Sequence, residues 1–246
     1  VRVPERSFVV PEISRPQDTL FADKIKWLGY YIHLDGLTLY RQALALAPAA
    51  AWTFSYLALN TTQSGSIAHA LDYIGRAQAL EPAAMPFMAI GGFVEYFARH
   101  YDAARRQLGG TVESAPDAIM PRQFLARVLL ILGRGQEVIR MLEGRNGTAP
   151  GSFSNLGRAY AQVGRIDEAR AEIARVEGLG ANGFGVGFDL ALMHVALDEY
   201  DQALTALERA VDDHSQMIGY LNVEPALDPI RGDARFRAAA ERIGLA

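Results

Sequence analysis

The chain has no cysteine in 246 residues, which excludes disulfides and thiolate-ligated zinc. It has no long apolar run either: the longest stretches, such as Val128-Leu129-Leu130-Ile131-Leu132, fall far short of the roughly 20 residues that span a bilayer. Nor is there a basic surplus. With 24 Lys and Arg against 28 Asp and Glu the formal charge is −4, so the electrostatic footprint of a nucleic-acid binder is missing. None of the five histidines (His33, His69, His100, His194, His214) forms a metal-binding or catalytic spacing such as H-E-x-x-H. Ser64 and Ser66 occupy a turn and match no nucleophile elbow. Gly178-Leu179-Gly180-Ala181-Asn182-Gly183 fits G-x-G-x-x-G, but a helical segment precedes it where a dinucleotide site needs a strand. It reads instead as a loose junction extending to Gly187. No cofactor, metal or catalytic residue is expected, and the chain reads as non-enzymatic.

What is present is a period. Pro48, Pro82, Pro116 and Pro150 stand 34 residues apart. Gly36, Ala70, Ala104 and Val138 keep the same interval, each followed four residues on by Tyr40, Ile74, Leu108 and Leu142. Three further on come Ala43, Ala77, Thr111 and Arg145. The phase resumes at Ala169, 31 residues after Val138, and continues through Ala203, Leu207 and Ala210, so three residues are lost near Gly144–Gly151. A small residue at a helix crossing lets two helices approach to roughly 8–10 Å, and the bulky residue a turn later fills the adjoining groove. Proline ends the second helix of each unit, because the residue before it is pushed out of the α region. Gly65, Gly133 and Gly164 fall where the first helix ends and a left-handed residue is cheapest. Asp102, Asp167 and Asp201 then suit the start of the second helix by capping and dipole.

This spacing and these landmarks resemble tetratricopeptide repeats over about 200 residues. The resemblance implies an all-α, right-handed solenoid of about six helix hairpins with a C-terminal capping helix. Residues 1–16, with three prolines, read as an extended leader, and no signal peptide is expected there. Residues 17–217 form the array, its first hairpin (17–50) degenerate. Residues 218–246 form a capping segment with an irregular stretch and a short helix, Ala234–Ile243. The tail landmarks Leu227-Asp228-Pro229, Arg231, Asp233, Arg235-Phe236 and Gly244-Leu245 are similar to the ending of such arrays in bacterial winged-helix activators and class III adenylate cyclases. That similarity implies the sensory or interaction half of a regulator.

A repeat unit cannot bury its apolar face alone, so units stack and leave a long concave surface suited to binding. In such arrays the first helix of each unit lines that surface. The residues placed there are Trp52, Phe93, Tyr96, Gln123, Arg127, Ser154, Arg158 and Gln162. Aromatics on one half and Gln or Arg on the other imply a peptide groove with an apolar anchor and a carboxylate-reading patch. Alternatively, Phe93 and Phe97 are core between repeats, and Arg127 and Arg158 are solvated or paired with Glu143 or Glu172. Ser55 and Leu59 stand where the family's chaperone-tail clamp carries Lys and Asn, so that ligand is not expected. The expected partner is a protein or peptide, with a self-association module (through the 178–187 junction or an apolar flank) and a small-molecule sensor as alternatives. The cysteine-free composition suits cytoplasm and periplasm alike; the cytoplasm is the expectation.

Overall fold

A computed structural model describes residues 50–144, 150–215 and 217–245. The expected leader, most of the first hairpin with Gly36, Tyr40, Ala43 and Pro48, and the position of Arg145 lie outside the described residues. Within them the chain forms five helix pairs: α1 Ala51–Gln63 with α2 Ile67–Leu80, α3 Met85–Phe97 with α4 Tyr101–Ser114, and α5 Ile119–Ile131 with α6 Gly135–Leu142. These are followed by α7 Pro150–Gln162 with α8 Ile166–Ala181 and α9 Gly187–Ala196 with α10 Tyr200–Asp212. Two 3₁₀ turns, Ile218–Tyr220 and Pro225–Ile230, lead to α11, Ala234–Arg242. There is no strand among the described residues.

The period works as steric logic requires. The small residues of the second helices, Ala70, Ala104, Val138, Ala169 and Ala203, are all sealed from solvent, and so are Ile74, Leu108, Leu142 and Leu207 one turn later. A matching series on the first helices was not part of the sequence reading: Ala58, Gly92, Ala126, Gly157 and Ala191 keep the same phase. A Cβ at Gly92 would lie 2.5 Å from Leu108 Cγ, so the bulky residue of the second helix seats directly on the first.

Each first helix ends on one left-handed residue. Gly65, Gly133 and Gly164 have φ of +74°, +74° and +80°, and the same position in the other two pairs is held by Arg99 at +63° and Asp198 at +59°. Glycine is cheapest there because it has no Cβ to clash.

Three expectations are corrected. Pro82 and Pro116 follow α2 and α4, but Pro150 opens α7, a first-turn position where its missing N–H costs nothing. Asp102, Asp167 and Asp201 lie in the first turns of their helices without capping them by side-chain bonds, so only the helix dipole draws on them. The glycine-rich stretch is not loose: α8 continues through Gly178 and Gly180, and a Cβ at Gly187 would stand 2.3 Å from the Ala210 backbone nitrogen.

First helices touch first helices from α1 through α9, forming one continuous face. The described apolar core falls into two clusters. One runs from Ala51 to Ala169 and includes Tyr220 from the tail. The other runs from Val176 to Ile243. None of the described helices is long and apolar enough to cross a membrane.

Candidate functional site

The face of the first helices is where sequence reasoning placed the site, and the expectation that it lies open is corrected. The C-terminal segment crosses it. Gly219 approaches Gln63 and Val223 approaches Gly65, both at the end of α1, while the second 3₁₀ turn packs on α9. Phe93, Tyr96, Arg127, Ser154 and Arg158 are consequently buried. Gln123 is half-buried, and Gln162, though exposed, donates to the Leu130 carbonyl at 2.8 Å. Trp52 stays 49% exposed at the start of α1, edge-on to Phe87 at 4.9 Å. Phe93 and Phe97 are core, as the alternative reading had it.

The segment is gripped at two points. Tyr220 stacks on Phe97 with centroids 5.0 Å apart and meets Phe93 edge-on at 5.2 Å, with Phe124 behind at 4.5 Å from Phe93. Four residues on, Glu224 is fully buried, and both its oxygens are used. Oε2 accepts from Arg127 Nη1 at 2.9 Å; Oε1 accepts from the Tyr96 hydroxyl and from the Ala226 backbone N–H at 3.1 Å. The same carboxylate therefore caps the second 3₁₀ turn and neutralises a buried arginine.

Phe93, Arg127 and Arg158 occupy one position of successive first helices, and Phe124, Asn155 and Asp189 the position three earlier. The two arginines differ in their satisfaction. Arg127 also lies 5.1 Å from the Phe124 ring centroid, yet its Nε has no partner. Arg158 donates from Nη1 to the neutral Asn155 Oδ1 at a long 3.4 Å. Asp189 Oδ1 is buried without a partner, near Ser154, whose hydroxyl donates to the Asp189 carbonyl at 3.3 Å. Neither arginine pairs with Glu143 or Glu172; Glu172 pairs with Arg175.

The electrostatics follow from burial. Desolvation, reinforced by the Glu224 charge, pushes the Tyr96 hydroxyl well above its ordinary value, so it remains a donor. Burial opposes the charge on Arg127, but Glu224, Tyr96 and Asp189 outweigh it and hold the guanidinium firmly protonated. Burial pulls Arg158 down, with Tyr96 and Glu224 offsetting only part of it. Burial pushes the Asp189 carboxyl up.

Outside the groove, Arg99 clamps Asp228 with two bonds, the longer 2.9 Å. Arg231 donates to the segment's own carbonyls, Asn222 at 2.5 Å and Glu224 at 2.7 Å, so the segment holds its shape as a unit. His100 and His194 pair with Glu95 and Glu199 and no three His, Asp or Glu among the described residues are placed to hold a metal.

Sequence reasoning missed Glu224, Asp189 and Asn155. The signal for Glu224 was available: it is an acidic residue just before Pro225, set within the apolar stretch Ile218–Leu227.

No family model matches the chain, and no curated protein matches it in sequence. Among solved structures, PilF of Pseudomonas aeruginosa is similar over 81% of this chain and 95% of its own, at 17% identity and a TM-score of 0.52. YrrB, described as a TPR protein with an unusual peptide-binding site, is similar over 74% of this chain and 96% of its own, at 18% identity and a TM-score of 0.46. The likeness concerns the fold, which is a TPR-type α-solenoid.

Proposed function

We propose that this chain is a non-catalytic scaffold that recognises a protein segment along the face of its first helices. One observation carries this reading: that face already holds a peptide segment folded into two 3₁₀ turns, the chain's own, with an aromatic side chain among Phe93, Phe97 and Phe124 and a carboxylate between Tyr96 and Arg127. Aromatic anchors and a buried arginine are the groups that dominate recognition at protein interfaces. A role as the sensory or interaction half of a bacterial regulator fits a scaffold whose binding face is under internal control.

The test is site-specific photocrosslinking in lysate of the source organism. A crosslinker at Gln162 or Gln123, on the first-helix face, is expected to capture a partner that the same crosslinker at the exposed second-helix residue Arg76 does not. Capture from Arg76 alone would sink the reading and move the binding surface to the opposite face.

A further inference from the structure

We propose that residues 217–231 are an internal ligand, displaced by a partner segment that places an aromatic side chain where Tyr220 sits and a carboxylate, four residues on, where Glu224 sits. The proposal rests on the scaffold reading above and names the partner's chemistry and the control of the same groove.

Charge selects an acidic occupant. The helical array alone contributes Arg127 and Arg158 against Asp189 at this point, a surplus of one positive charge that Glu224 cancels. A neutral or basic segment would leave that surplus buried, which is costly. The aromatic anchor sets the spacing, because Tyr220 meets Phe93 and Phe97 of α3 while Glu224, four residues on, meets Tyr96 of α3 and Arg127 of α5.

The internal fit is incomplete. Arg127 Nε and Asp189 Oδ1 are bonded to nothing, and Arg158 has its one long contact with a neutral amide. Buried polar groups are otherwise almost always satisfied. A partner able to supply further acceptors and a donor gains what the internal segment forgoes.

The segment is also built to lift without taking the cap with it. The segment follows α10 in the chain, and beyond it α11 packs back on α10, with Arg235 paired to Glu208 at 2.8 Å and Arg242 to Asp212 at 2.6 Å. Along the segment the outer clamp, Arg99 on Asp228, is solvent-exposed, and Arg231 spends its hydrogen bonds within the segment, meeting the cap only over the Phe236 ring at 5.3 Å. Opposing release is the burial of Leu221, Leu227 and Ile230 in the C-terminal core, which a partner must outcompete.

The experiment is hydrogen exchange by mass spectrometry on the full chain, with a synthetic peptide of residues 217–231 as probe and fluorescence anisotropy to establish its binding. At saturating peptide, exchange in residues 217–231 of the chain is expected to rise at least tenfold while α3 and α5 keep their protection. Asp228→Ala/Arg231→Ala in the chain, which loosens the internal segment and leaves Arg99 free for the peptide's own Asp228, should tighten peptide binding at least tenfold, and Glu224→Gln in the peptide should weaken it by a similar factor. Bound peptide with residues 217–231 undisturbed overturns the internal ligand and leaves the scaffold reading standing. Exchange that rises equally in α3 and α5 reports unfolding and also overturns it. A peptide that binds neither the wild-type nor the loosened chain removes the internal ligand and the groove reading together.

Discussion

The two halves of the core are built on different principles. From Ala51 to Ala169 the core is repetitive: the small residues of the second helices recur every 34 residues, with one step of 31 between Val138 and Ala169. From Val176 onward the repeat survives only in the last helix pair, through Ala191, Ala203 and Leu207. There Val186, Leu190 and Leu207 come from the last helix pair, but Ile218, Leu221, Leu227, Ile230, Phe236 and Ile243 come from a tail with no repeat register. The difference reflects a general problem of solenoids, whose terminal unit has no neighbour to cover its apolar face. Here the covering segment does more than cap. It crosses the first-helix face, places Tyr220 in the repetitive core, and sets Glu224 against Arg127.

Between the cores runs a polar seam, Ser154, Asn155, Arg158 and Asp189, with Arg127 and Glu224 at its edge. Truncating that seam has the largest expected effect. Glu224→Ala leaves Arg127 charged, buried and unpaired, and should cost about 3–5 kcal/mol in urea unfolding. Exchanging both partners, Arg127→Met with Glu224→Leu, should recover most of the loss. Recovery would show that the ion pair specifies where the tail sits more than it stabilises the fold.

Next in size is a test of whether the two cores unfold together. Leu227 is fully buried among tail and α9–α10 residues, and Leu227→Ala should cost about 2–5 kcal/mol. Hydrogen exchange should show the lost protection in α9–α11 and not in α1–α5. Uniform loss would mean that the cores form one cooperative unit.

Tyr220 sharpens the comparison through pH. Burial pushes its hydroxyl from 10.0 up to about 12. The folded value lies above the unfolded one, so the contribution is complete below about pH 10 and is lost as pH rises toward 12. A shift of that size corresponds to about 3 kcal/mol. Alkaline denaturation should steepen in that window, and Tyr220→Phe should flatten it.

The smallest effect concerns Arg99. Its exposed pair with Asp228 is worth about 0.2–1 kcal/mol, which Arg99→Ala should remove. Arg99 also holds φ of +63°, so Arg99→Gly loses the same pair but relieves about 1–2 kcal/mol of left-handed strain, which outweighs glycine's extra chain entropy and should leave it the more stable variant by up to about 1 kcal/mol. An alanine variant more stable than the glycine one would mean that the left-handed turn carries no strain.

The repetitive core was legible because its contacts are between neighbours in sequence. Ala70, Ala104 and Ala169 declare their place by spacing, and Gly65, Gly133 and Gly164 declare theirs by conformational need. Pro150 misled because the shortened α6 shifts what that proline adjoins: spacing alone does not say whether a proline closes one helix or opens the next. The candidate site was legible by half. The period put Phe93, Arg127 and Arg158 in one column of first helices. It said nothing of Glu224, which lies 97 residues from Arg127 and 128 from Tyr96 and follows no period.

The sequence by itself therefore determined the hairpins, their phase and the side chains of the first-helix face, because local packing repeats and repetition is visible in one dimension. Only the tertiary structure decided that the tail would lie across that face and close it. That choice depends on complementarity between groups far apart in the chain: an aromatic ring that fits between Phe93 and Phe97, and one carboxylate that balances a buried arginine.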